Sequence, residues 1–228
     1  MTSGGANTPP AKRWSVEGWV LYRPDSGGPL SSGTFAPGYG ASQAGAVLRY
    51  TLAPESSRKP QAYVRVTQAI AEPRETESAL GVSARPVPGL PVRAMAELRA
   101  QRIGGETRLR PAALAVTELP PVVLPLKAQA DIYAQAGYVG GDFATPFADG
   151  QVRVTRPFLT VGDARVRIGA GAWGGAQQGV SRIDVGPTAS IDIPVGAANA
   201  RIALDYRQRV AGNAMPGSGP ALTVSTGF

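Results

Sequence analysis

The stretch ARIALDYRQRV, residues 200–210, writes two chemistries in alternate positions. Ile202, Leu204, Tyr206 and Val210 share one face, with Gln208 the exception. Arg201, Ala203, Asp205, Arg207 and Arg209 share the other. Successive side chains of a β-strand point to opposite faces, so a period of two predicts a strand whose faces meet different surroundings. The rule recurs along the chain. VSRIDVGPTASIDIPV sets Ile183, Val185, Ala189, Ile191 and Ile193 against Arg182, Asp184, Ser190 and Asp192. DARVRIGAGAW sets Val166, Ile168 and Ala170 against Arg165, Arg167, Gly169 and Gly171. VRAMAELRAQ is rich in helix formers, yet Val92, Ala94, Ala96 and Leu98 alternate with Arg93, Met95, Glu97 and Arg99, which favours a strand.

With candidates at 13–23, 43–53, 61–71, 77–85, 92–102, 106–117, 126–138, 150–161, 163–173, 180–195, 200–210 and 220–228, the pattern predicts about twelve strands. Turn residues separate them: the chain holds 29 Gly and 21 Pro. Most candidates run roughly 9 to 12 residues, which exceeds the usual 5 to 6 of soluble sheets and suits a membrane-crossing strand. No apolar run reaches the ~18 residues of a membrane helix. In the soluble alternative, a β-rich sandwich or barrel binding module, the apolar faces would pack inward and the charges meet water.

The first strand favours lipid. Trp14, Val16, Val20 and Tyr22 share a face, and Trp14 and Tyr22 stand roughly 26 Å apart at about 3.3 Å per residue. An apolar band about 25 Å tall with aromatics at both rims fits that spacing. The expected fold is therefore all-β: a closed antiparallel up-and-down transmembrane β-barrel over residues 13–228. A polar linker, 1–12, precedes it. An even strand count sets both termini on the periplasmic side. Long and short connections are expected on opposite rims. Pro111, Pro157 and Pro187 fall inside candidate strands, where a closed barrel offers no edge to receive them.

Composition closes most enzymatic routes. There is no Cys and no His, so disulfides, thiolate nucleophiles, zinc–sulfur sites, Ser-His pairs and imidazole ligands are excluded. GAGAWGGAQQG lacks the dinucleotide fingerprint, and its glycines are expected to bring backbones close at Gly169 and Gly171. No enzyme activity, cofactor or metal is expected. The net charge is +7, carried almost wholly by Arg, since Lys stands only at positions 12, 59 and 127. No basic cluster interleaves with aromatics, so nucleic acid is not the expected partner.

The chain ends ALTVSTGF, with Leu222, Val224 and Phe228 on one face. This resembles the closing strand of bacterial outer-membrane barrels, whose terminal aromatic is read by the barrel assembly machinery. Thr226 departs from that pattern. The segments AGYVGGDFATPFADGQVRV and GPTASIDIPVGAANARIALDYRQRVAG resemble the C-terminal barrel of tetratricopeptide-repeat export porins for exopolysaccharide and cellulose, and of phage-adsorption protein A-like proteins. The likeness covers residues 13–228. It implies a bacterial outer-membrane location, lipid and assembly machinery as partners, and contact with polysaccharide and periplasmic export proteins. The family's helical repeats are absent. Twelve-stranded phospholipases share the architecture but use a Ser-His pair. Autotransporter barrels thread a helix, for which residues 1–12 are poor material.

In such a barrel the lumen would carry Arg49, Arg65, Arg93, Arg99, Arg153, Arg165, Arg167, Arg182, Arg201, Arg207 and Arg209, with Glu17, Glu97, Asp131, Asp184, Asp192 and Asp205 among them. One reading pairs these charges across strands and stiffens the barrel. The other makes an anion-favouring pore, as rings of Arg or Lys do. The expected function is a conduit for an exopolysaccharide or other anionic solute. A mostly closed barrel acting as a receptor or docking surface is the alternative. PDSGGPLSSGTFAPGYGASQ and VGGDFATPFADG are the candidate gating loops.

Overall fold

The computed structural model describes residues 12–24, 41–70, 75–103, 105–142, 144–196 and 198–227. They form one antiparallel sheet closed on itself. Its elements are β1 (Trp14–Tyr22), β2 (Gln43–Thr51), β3 (Gln61–Ala69), β4 (Thr76–Ala84), β5 (Val92–Ile103) and β6 (Glu106–Thr117). There follow β7 (Val122–Val123), β8 (Gln129–Val139), β9 (Thr145–Val161), β10 (Ala164–Gln177), β11 (Val180–Val195), β12 (Ala198–Gly212) and β13 (Gly219–Gly227). Each long strand pairs with its neighbours in sequence. β1 closes on β13, with Glu17 opposite Gly227, and β6 meets β8, with Ala112 opposite Val139. β7 is a two-residue piece on the lower edge of β8, so the barrel has twelve long strands.

The alternation decides the two faces as expected. Leu80, Leu98, Leu204, Ile202, Val224 and their equivalents point outward and are exposed, Leu80 by 66%. On the same strands Ala79, Glu97, Arg99, Ala203 and Asp205 point inward and are buried. Trp14 and Tyr22 stand exposed at opposite ends of β1, and Trp14 packs on Tyr50 of β2 with ring centroids 4.6 Å apart. Tyr138 and Tyr206 join Tyr22 as exposed aromatics toward the opposite end.

Strict antiparallel order assigns the connections to rims. The β2–β3, β4–β5, β6–β8, β9–β10 and β11–β12 connections share a rim with Trp14 and Gly227, here the terminus-side rim. The other connections lie at the far rim. Length does not separate the two rims, contrary to the sequence expectation. The two-residue turns 162–163 and 178–179 lie at opposite rims, while the long 118–128 connection is on the terminus side. The reason is local. β6 leaves the ladder at its lower end, where the Thr117 hydroxyl instead accepts from the Ala134 amide at 2.9 Å, and β7 then has to cover the remaining edge of β8.

The prolines are accommodated by breaks in the ladder. Pro111 lies just beyond the last β6–β8 pair and its carbonyl accepts from Gly140 N at 2.8 Å. Pro157 flanks a bulge opposite Val166 and Arg167. Pro187 sits where β11 and β12 skip their pairing between Val185 and Thr188, so its missing N–H is not needed there. β9, β10 and β12 run longer than expected, while β1, β2 and β3 stop short. The VGGDFATPFADG loop is a correction: Thr145–Gly150 belong to β9, with Phe147 turned into the lumen. Gly150 allows this, since a Cβ there would stand 2.7 Å from the Tyr133 carbonyl oxygen. The other gating candidate, 24–43, lies mostly outside the described residues, as do residues 1–11 of the linker and Phe228. Leu222 and Val224 face outward on β13.

Candidate functional site

All eleven arginines assigned to the lumen from sequence fall on inward positions, but they do not form one lining. Strand direction separates them into two halves with different character.

The half toward the far rim is packed. On β3–β5, Arg65 binds Glu77 at 2.7 Å and Glu97 at 2.9 Å, and Arg99 binds Glu97 at 2.6 Å. The Tyr63 hydroxyl donates to Glu97 at 2.7 Å, and Gly81 makes room for its ring. Arg99 then reaches past β6 and β8 to lie 5.4 Å over the Phe147 ring. A second cluster occupies β9–β12. Asp205 accepts from Arg153 at 3.0 Å, Arg207 at 3.1 Å and the Thr188 hydroxyl at 2.7 Å. Trp173 lies beneath both guanidinium groups, 4.6 Å from Arg207 and 5.7 Å from Arg153. Its ring folds over Gly171, where a Cβ would stand 2.5 Å from it. Asp184, fully buried, binds Arg182 and also Arg23 at 3.4 Å.

The half toward the terminus-side rim is more open. Glu17 is 55% exposed at its side chain and pairs with Arg49 at 3.0 Å. Arg201 bridges Asp192 on the next strand and Asp131 on β8 at 3.5 Å. Arg165 is exposed beside them on β10. Arg167 donates to the Thr155 hydroxyl at 3.0 Å and the Thr155 carbonyl at 3.2 Å. Among the described residues neither Arg165 nor Arg167 meets a carboxylate. Here the arginine charge exceeds the acid charge, and a guanidinium held by neutral acceptors keeps its attraction for an anion. At the terminus-side rim itself Arg93 and Arg85 grip Glu118 at 2.6 and 2.7 Å. Burial alone would raise the Glu118 carboxyl, but the two arginine hydrogen bonds outweigh it and hold it below the usual carboxylate range.

Several members were not singled out from sequence: Arg23, Arg85, Glu77, Glu118, Phe147 and Trp173. Trp173 was legible in principle, since it shares the inward parity of Gly169 and Gly171. Arg23 shares the inward parity of Glu17 within the candidate strand 13–23 and was legible in the same way, whereas Glu118 lies one residue past its strand end, where alternation no longer announces a face. Arg209 joins no acid among the described residues; it donates to the Ala214 carbonyl at 2.8 Å.

The chain matches no protein-family model and no curated protein. Solved structures share its barrel form. A bacterial polysaccharide outer membrane secretin is 8% identical, with 94% of this chain and 96% of that one covered, at a TM-score of 0.46. The β domain of the Bordetella autotransporter BrkA is 12% identical over 95% and 98%, at 0.49. An outer membrane channel from Pseudomonas putida F1 is 11% identical over 100% and 98%, at 0.47. Likeness at this level decides nothing about what this chain carries.

Proposed function

We propose that the protein is a bacterial outer-membrane β-barrel whose lumen admits anionic solutes from the terminus-side rim, an acidic exopolysaccharide being the polymer class that suits it. The carrying observation is the inversion of faces on most of the twelve long strands. Large apolar side chains such as Leu80, Leu98 and Leu204 are exposed outside, while arginines and carboxylates are buried within. A water-soluble barrel would reverse this. Lipid therefore suits the outer wall, and the assembly machinery is the partner such a barrel needs. Arg165 and Arg167, without acid partners among the described residues, supply the preference for anions.

A receptor or docking role for a mostly closed barrel is favoured by a different observation, the buried Asp184 and Asp205 clusters that fill the far half of the lumen. Planar-bilayer recording separates the two. The conduit reading expects conductance with a reversal potential toward anions in a salt gradient. Arg165→Glu with Arg167→Glu should move that potential toward cations at unchanged heat-modifiable gel mobility. A folded barrel that conducts nothing would leave the docking role.

A further inference from the structure

The outer wall carries almost no charge. Among the described strand residues two charged side chains stand on outward positions, Arg102 and Arg156. Arg102 lies one residue from the far-rim end of β5. Arg156 lies five residues from the terminus-side end of β9, exposed, with Val154 above it and Ile168 of β10 beside it. Among the described residues it makes no hydrogen bond or ion pair.

The strand register fixes its depth. The ladder row through Arg156 runs by Ile168, Ala189, Leu204 and Leu222 to Tyr22 at the far-rim end of β1. In the other direction the row from Trp14 climbs through Tyr50 and ends on the far-rim aromatic Tyr138. Strands tilted by about 40° shift such a row by ~3 Å of height per strand, so Arg156 lies roughly 15 Å below Tyr22. By the same tilt Trp14 lies roughly 20 Å below Tyr22. Arg156 thus stands close to the terminus-side girdle, where a long cationic side chain reaches head groups and not only hydrocarbon.

From Arg156 a groove of about 790 Å³ runs up the outer wall. Ile168, Pro187 and Ala189 floor it, and Leu204 and Tyr206 form its far side. The short side chains on β11 leave it open between the larger ones of β9 and β12. Since Tyr206 belongs to the far-rim aromatics, the groove crosses the apolar band from one girdle to the other.

We propose that Arg156 and this groove bind one anionic phospholipid of the terminus-side leaflet, its phosphate on the guanidinium and one acyl chain rising along Ile168, Ala189 and Pro187 to Tyr206. This rests on the reading of the outer wall as lipid-facing. A phosphate presents oxygens to both arms of the guanidinium fork, a charge-assisted pair that the chain itself leaves unmade at Arg156. The apolar groove accepts a hydrocarbon chain. A zwitterionic head group brings an ammonium that competes for the same phosphate, and no acid stands on the described outward strand positions to receive it. For the same reason a second copy of the barrel would set Arg156 against a wall without an anion.

Full-length barrels are refolded in detergent and checked for heat-modifiable mobility. Native mass spectrometry then counts retained dioleoylphosphatidylglycerol, dioleoylphosphatidylethanolamine or glycerol 3-phosphate. The native barrel should retain one phosphatidylglycerol several-fold more tightly than phosphatidylethanolamine, and no glycerol phosphate. Arg156→Gln should erase that preference, Ala189→Trp should weaken both lipids several-fold, and Arg102→Gln should behave as native. Equal phosphatidylglycerol retention by the native barrel and Arg156→Gln overturns the site. So does an equal loss with Arg102→Gln, since any outward arginine would then serve. Glycerol phosphate bound as tightly as the lipid overturns the part given to the groove. A lipid-free dimer that Ala189→Trp separates assigns the groove to a second copy and overturns the lipid. In all these cases the barrel keeps its heat-modifiable mobility, and the outer-membrane reading stands. A protein that folds without detergent and shows no mobility shift removes the lipid-facing wall and the site together.

Discussion

The carboxylate of Asp205 on β12 accepts from the guanidinium of Arg153 on β9, 3.0 Å away and three strands distant around the barrel. Asp205 also binds its own strand neighbour Arg207, and Trp173 lies beneath both arginines. One carboxylate thus draws four strands, β9 to β12, into a fixed curvature.

Removing that carboxylate leaves buried Arg207 and half-buried Arg153 without their shared counter-charge. Asp205→Asn should destabilise the folded barrel by about 3–5 kcal/mol, the cost of breaking a buried charge group from one side. Urea unfolding of the refolded protein measures it. Arg153→Met should cost less, because Asp205 retains Arg207 and Thr188. Equal losses for the two variants would contradict the sharing.

Leu204, one position before Asp205, points outward and is exposed. If lipid covers that face, Leu204→Arg lowers stability in bilayers by about 2–4 kcal/mol. On a face solvated by water the same change falls within about 0.5 kcal/mol of zero. Unfolding from lipid vesicles distinguishes these values.

Glu118 holds the terminus-side rim through Arg85 and Arg93. Its carboxyl lies below the ordinary range in the folded state, so the charged form is favoured by folding. That stabilisation is complete above the unfolded value, about 4.3, and is lost as pH falls through the lower folded value. Unfolding of the native barrel should therefore show an acid-side loss of stability that Glu118→Gln lacks. Identical pH profiles would remove Glu118 from this role.

Gly186 lies where β11 and β12 interrupt their pairing. A Cβ there would stand 1.8 Å from the Tyr206 carbonyl oxygen, and backbone cannot yield as a side-chain tip can. Gly186→Ala should destabilise by about 1–3 kcal/mol, as overpacking does. Gly217→Ala, with open space around it, should be neutral by comparison. A refolding-yield and urea series on both variants tests the difference.

Much of this was legible in residues 200–210 alone. Alternation assigned Ile202, Leu204 and Tyr206 to one face and Arg201, Asp205 and Arg207 to the other, and the barrel keeps that assignment. The same rule identified every long strand. It was less informative about where strands stop, because Gly and Pro signal turns whether or not a neighbouring strand accepts them. Thr145–Gly150 read as loop for that reason, yet pair along their whole length with β8.

Local pattern determined which side of the wall each arginine faces, because side-chain direction on a strand depends only on parity. Whether an arginine meets a carboxylate was decided by the curvature and closure of the sheet. Arg153 meets Asp205 from three strands away, Arg201 meets Asp131 from four, and Arg23 crosses from β1 to Asp184 on β11. The first two pairs meet because the sheet curves between β8 and β12, and the third only because β1 joins β13. Arg165 and Arg167 look no different from them in the sequence, and only the closed barrel shows that no carboxylate among the described residues reaches them.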